Sequence, residues 1–112
     1  MSATVLVVDD DPVQRRLLTE MVRKFGYEPE AVEGGAQALD RINDRTKPSV
    51  DAMILDLVMP DLDGMAVLER LKAIDDRPAA IVQTAHGSIE TVISAMRAGA
   101  VDFVVKPVGA ER

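Results

Sequence analysis

Three aspartates, a threonine and a lysine stand where apolar runs stop. Asp9 and Asp10 follow Thr4 to Val8, Asp56 follows Ala52 to Leu55, Thr84 follows Ala79 to Gln83, and Lys106 follows Phe103 to Val105. If each run is a buried strand of one open parallel sheet, all five residues share the rim at the carboxyl ends of the strands, where such sheets bind ligands. Three carboxylates, a hydroxyl and an ammonium then converge from opposite ends of the chain. Two like charges ~5 Å apart repel by roughly 3 kcal/mol at an effective dielectric of 20, so the group calls for a divalent cation. Hard oxygen donors and the absence of cysteine argue against zinc. Singly, each residue has a plainer reading: an Asp pair that caps a helix, Asp56 as a turn cap, Thr84 as an ordinary β-branched strand residue, Lys106 as a solvated lysine.

The elements needed to bring these residues together are legible as alternating strands and helices. Thr4 to Val8 is short, continuous and β-branched, as in a strand covered on both faces. Asp11 and Pro12 then read as a cap and first helical residue, Val13, Leu17, Leu18, Met21, Val22 and Phe25 fall on one helical face, and Gly26 ends the helix. Pro29 places any strand within Tyr27 to Val32 at a sheet edge. A short helix carries Ala36, Leu39 and Ile42. After the strand Ala52 to Leu55 and a loop, Asp63 caps a helix with Val67, Leu68, Leu71 and Ile74 on one face. Pro78 leads into the strand Ala79 to Gln83. Ser88 caps a helix with Ile89, Val92, Ile93 and Met96 inward, Gly99 closes it, and Phe103 to Val105 is the last strand. Such alternation specifies a doubly wound parallel sheet with right-handed crossovers.

Composition narrows the function. The chain has 112 residues, 13 Lys+Arg against 19 Asp+Glu, a net charge of -6 and no Cys. One domain is expected, over residues 1–112, with no disulfide framework or thiolate metal site. Without a basic run, such an acidic surface disfavours direct nucleic-acid binding. No apolar stretch is long enough for a membrane span and the N-terminus carries no secretory pattern, so a cytoplasmic protein is expected.

Taken jointly, Val7-Val8-Asp9-Asp10-Asp11, Leu55-Asp56-Leu57-Val58-Met59-Pro60-Asp61-Leu62-Asp63-Gly64, Thr84-Ala85 and Lys106-Pro107 resemble the receiver domain of bacterial two-component response regulators. The resemblance covers almost the whole chain. It implies a flavodoxin-like sheet of five strands in the order 2-1-3-4-5, and phosphorylation of Asp56 by a sensor histidine kinase or a phosphotransfer protein. It further implies magnesium, or manganese, held by Asp10 directly, by Asp9 through a water, by Asp56 and by the backbone carbonyl of Val58. Lys106 and Thr84 would contact phosphoryl oxygens. Thr84 and Phe103 would act as a switch that alters the surface of the fourth helix and fifth strand. Val58 cannot orient a water for attack, which implies slow loss of the phosphoryl group. The peptide between Lys106 and Pro107 occupies a position that is typically cis in the family. The run from Thr84 to Phe103 is similar to receivers of enhancer-binding transcription activators, which implies a transcriptional output outside these residues.

Other readings compete. Asp9-x-Asp11-x-Val13 resembles the opening of haloacid-dehalogenase-type phosphatases, in which Asp9 would be the nucleophile, although 112 residues leave no room for a lid. A receiver used only for docking or dimerisation is a third possibility. Asp61-Leu62-Asp63-Gly64 superficially matches a calcium loop, but Lys72 replaces its required acid. His86 reads as an exposed loop residue. Finally, Val108 to Arg112 supply too few residues for a fifth helix. The expectation is a fragment lacking that helix, with apolar surface of strands one and five uncovered on one face and prone to self-association.

Overall fold

A computed structural model of the chain describes residues 3–57, 59, 63–74, 77–84 and 89–105, with backbone alone at positions 89, 103 and 105. Its strands are β1 (Thr4–Val8), β2 (Glu28–Val32), β3 (Ala52–Asp56), β4 (Ala79–Thr84) and β5 (Asp102–Val105). Between them lie the helices α1 (Pro12–Lys24), α2 (Gly35–Asn43), α3 (Gly64–Leu71) and α4 (Ile89–Arg97). All pairings are parallel, as expected from the alternation, and the order is β2-β1-β3-β4-β5, as the resemblance implies. Pro29, which cannot donate to a ladder, lies in the edge strand β2.

Local chemistry sets the helix ends. The Asp11 carboxylate accepts from the Val13 amide at 2.9 Å, with Pro12 at the first helical position. Asp63 caps α3 by accepting from the Ala66 amide at 2.9 Å, which is the cap role rather than a calcium-loop role. Past the end of α1, Gly26 has φ +92°, a left-handed conformation that costs glycine little.

The principal core lies on one side of the sheet. Leu6 and Val8, Met53 and Leu55, and Ala80 and Val82 alternate onto that face and pack with Ala38 of α2, Val67, Leu68 and Leu71 of α3, and Ala95 of α4. The inner face of α4 differs from the expected one: Ala95 and Ala98 are buried, whereas Ile93 and Met96 are largely exposed.

The opposite face carries α1, and its apolar stripe is only partly used. Val22 is buried and Leu18 half-buried, but Val13, Leu17, Met21 and Phe25 are 52–71% exposed. Beside them Val5, Ile54 and Ile81 are only half-buried, and Val104 of β5 is exposed. Val5, Met21, Phe25, Ile54 and Ile81 line an apolar groove of about 410 Å³. This apolar surface draws on β3 and β4 as well as β1, with Val104 of β5 also exposed.

One ion pair ties the edge strand to the helix behind it. Arg41 of α2 is buried; its guanidinium donates through Nε to Glu30 Oε1 of β2, through Nη2 to Glu30 Oε2 at 3.1 Å, and through Nη2 to the Pro48 carbonyl at 2.8 Å. The hydrogen bonds from Arg41 hold the Glu30 carboxyl below its ordinary value near 4.5. A lowered folded value stabilises the fold above the unfolded value and loses that contribution as pH falls through the folded one. Arg41→Met should therefore cost about 1–2 kcal/mol near neutral pH, kept modest because Glu30 is partly solvated. The difference from the unaltered chain should narrow below about pH 4.5. Urea unfolding at a series of pH values checks this; a difference constant down to pH 3 would refute the assignment.

Candidate functional site

The sheet register assembles the rim. Val8 is aligned with Leu55, Leu55 with Val82, and Asp56 with Gln83. Asp9, one residue past β1, therefore comes level with Asp56 at the end of β3. The two-residue period of the strands then sorts side chains by face: Val5, Val7 and Asp9 share one parity, as do Ile54 and Asp56, and Ile81 and Gln83. All three sets belong to the α1 side of the sheet, opposite the principal core.

Carboxylate oxygens of Asp9, Asp10 and Asp56 all lie within 4.8 Å of one another, with Asp9 and Asp56 buried and Asp10 exposed. Two oxygens bound to one magnesium ion at about 2.1 Å are at most about 4.2 Å apart. A group held within 4.8 Å is close enough for these carboxylates to share one such ion with little rearrangement. Exposure of Asp10 leaves that side open to solvent, in keeping with an ion that dehydrates reluctantly. These oxygens fit magnesium or manganese by donor type and spacing.

Asp9 is held from several sides. Its Oδ1 accepts from the Asp11 amide at 2.9 Å and its Oδ2 accepts from Gln83 Nε2 at 3.2 Å, with no exposed surface. Its backbone amide donates to the Val32 carbonyl at 3.3 Å, and its carbonyl accepts from Arg15 Nη1 at 2.9 Å. Arg15 also lies 3.8 Å from Glu33, which binds the end of β1 to the loop after β2. Asp56 is backed by helix α3: the Gly64 amide donates to the Leu57 carbonyl at 2.9 Å, and a Cβ on Gly64 would lie 2.5 Å from the Asp56 carbonyl oxygen. Only glycine permits that approach without displacing the backbone that carries Asp56.

Thr84 is buried at the end of β4, beside Val105 of β5 in register, and has the opposite parity from Gln83. The backbone of Phe103 pairs with Val82. Val58, His86, Ser88, Lys106 and the Lys106-Pro107 peptide lie outside the described residues, as does the Phe103 ring. The structure thus brings Asp9, Asp10 and Asp56 together and puts Thr84 on the same rim. Gln83 and Arg15 join the site without having been expected there. A glutamine directly after the apolar run Ala79 to Val82 was the available signal for the first, since a buried amide requires a partner.

Comparison with known proteins agrees with this geometry. The family model described as the response regulator receiver domain matches residues 5–112. The chemotaxis protein CheY of Bacillus subtilis is 37% identical over 113 residues, covering the whole of this chain and 92% of CheY. The transcriptional regulatory protein ZraR of Escherichia coli O157:H7 is 34% identical over 103 residues, 92% of this chain but only 23% of ZraR. A solved response regulator receiver domain protein from Clostridium thermocellum superposes with a TM-score of 0.84 at 31% identity, covering 97% of this chain and 86% of that one.

Proposed function

Because the chain belongs to the response regulator receiver domain family, whose members are signalling phosphoacceptors in two-component systems, we propose that Asp56 is its phosphoacceptor. The observation that carries this reading is the meeting of Asp56 with Asp9 and Asp10 on one strand-end rim, oxygens within 4.8 Å. An Asp56 carboxylate oxygen attacks the phosphorus of a phosphohistidine on a kinase or phosphotransfer partner. The P–N bond breaks, its electron pair returns to the imidazole, and an acyl phosphate forms. Little covalent apparatus is needed, because such transfers depend chiefly on alignment and on neutralising the phosphoryl oxygens. Magnesium, when bound, supplies that neutralisation. Asp10 and Asp56 would hold it directly, Asp9 through a water, and the Val58 carbonyl would complete the set. Thr84 would donate to one phosphoryl oxygen and Lys106 would pair with another. The domain assists its own modification rather than turning over a separate substrate.

Movement of Thr84 toward the phosphoryl group would alter packing around β5, and Phe103 would follow it. That would reshape the exposed surface of α4 and β5, where Ile93, Met96 and Val104 are accessible. We extend the proposal to a transcriptional output carried elsewhere, by likeness to ZraR, and to the cytoplasm. Among the described residues no helix is long and apolar enough to cross a membrane. The phosphatase alternative is not favoured. Its nucleophile, Asp9, has both carboxylate oxygens engaged by Asp11 and Gln83. Labelling with acetyl phosphate, borohydride trapping and peptide mass spectrometry tests the assignment. Modification at Asp56 is expected; modification at Asp9, or none, would reject it.

A further inference from the structure

Gln83 is 4% exposed in a strand whose neighbouring residues Ile81 and Val82 are apolar. An amide buried there is costly unless bonded. Because an ionised carboxylate only accepts, the nitrogen of that amide is the group that must face Asp9, and Nε2 lies 3.2 Å from Asp9 Oδ2. The Asp11 amide holds the other oxygen. Gripped at both oxygens, the Asp9 carboxylate cannot swivel about its terminal bond. The backbone of Gln83 acts on the same rim, since its carbonyl accepts from the Leu57 amide at 3.1 Å, directly after Asp56. One residue of β4 therefore braces the ends of both strands that carry the acidic group.

We propose that Gln83 is a positioning residue of the cation pocket: by fixing the Asp9 carboxylate it favours magnesium over calcium. The inference rests on the metal reading of Asp9, Asp10 and Asp56. Magnesium demands near-ideal octahedral geometry at about 2.1 Å, whereas calcium accepts irregular shells at about 2.3–2.6 Å. A carboxylate released from its brace penalises the smaller, stricter ion more. Partners in the second layer of a metal site are worth roughly 10–100-fold in affinity. With Asp9 acting through a water, the lower end applies.

Titration calorimetry of the whole chain with magnesium chloride and with calcium chloride provides the test. Gln83→Met, which keeps length and removes the donor, should weaken magnesium binding roughly tenfold and calcium binding by less than about threefold. Placed in an Asp9→Ala background, the same substitution should have no effect on magnesium affinity, because the group it positions is gone. In the unaltered protein, the Gln83 side-chain amide resonances should shift over the same magnesium range as the backbone amides of Asp9 and Asp10, a readout that stands even if Gln83→Met folds poorly. Equal weakening of both ions, full weakening in the Asp9→Ala background, or an amide indifferent to magnesium would each overturn the proposal. An unaltered chain that binds neither ion would remove the metal reading itself, a failure distinguishable from that of Gln83 alone.

Discussion

Asp56→Asn is expected to take up no phosphoryl group from acetyl phosphate and to bind no beryllofluoride, while melting at or above the temperature of the unaltered chain. The substitution replaces a carboxylate nucleophile by an amide of the same shape, so the chemistry is lost with little change in packing. It also removes one of three negative charges gathered within 4.8 Å, where like charges at about that distance repel by up to roughly 3 kcal/mol at an effective dielectric of 20. Intact-mass measurement after incubation with the donor reads the first effect, and a thermal melt without added metal reads the second. A variant that gained one phosphoryl group at the original rate would place the acceptor elsewhere and remove the basis for every role assigned around Asp56.

The second large effect concerns metal and stability. Folding alone brings Asp9, Asp10 and Asp56 together, so a cation that binds them favours the native chain. At a hundred times its dissociation constant such a ligand adds about 2.7 kcal/mol, which for a domain of this size raises the melting temperature by roughly 10 °C. Magnesium at about a hundred times its dissociation constant should produce a rise of this order, and Asp10→Asn should remove most of it while leaving the metal-free melt unchanged or higher. Melting indifferent to magnesium in the unaltered chain would contradict the assignment of these carboxylates as ligands.

Much of this is legible in the sequence, for identifiable reasons. Strand ends were marked because buried parallel strands are continuous apolar runs, so the first acid after each run had to lie at the rim. Asp11 and Asp63 were readable as caps because their position before a helical pattern leaves them one favourable use, the orphan amides of the first turn. Two kinds of fact were less accessible. The burial of α1 and the inner face of α4 are not legible, because periodicity identifies an apolar stripe but not how much of it a neighbour will cover. On α1 the larger residues Leu17, Met21 and Phe25 stay exposed, while Ala95 of α4 and Ala98 just past its end are buried. The part played by Gln83 is not legible because its partner, the Asp9 carboxylate, is set by strand register across 74 positions, and that of Arg15 because its contact with the Asp9 carbonyl depends on how α1 packs beside the end of β1. Parity along β4 would have put Gln83 on the same face as Asp56 once that register was known.

The same register has a consequence for the time at which the site comes into being. Asp9 and Gln83, which meet on the rim, lie 74 positions apart, and β1 cannot pair with β3 until the segment carrying α1, β2 and α2 has been synthesised. On a growing chain the first two aspartates therefore emerge long before their third partner, and the glutamine brace emerges later still. A nascent chain shorter than β4 has no complete pocket.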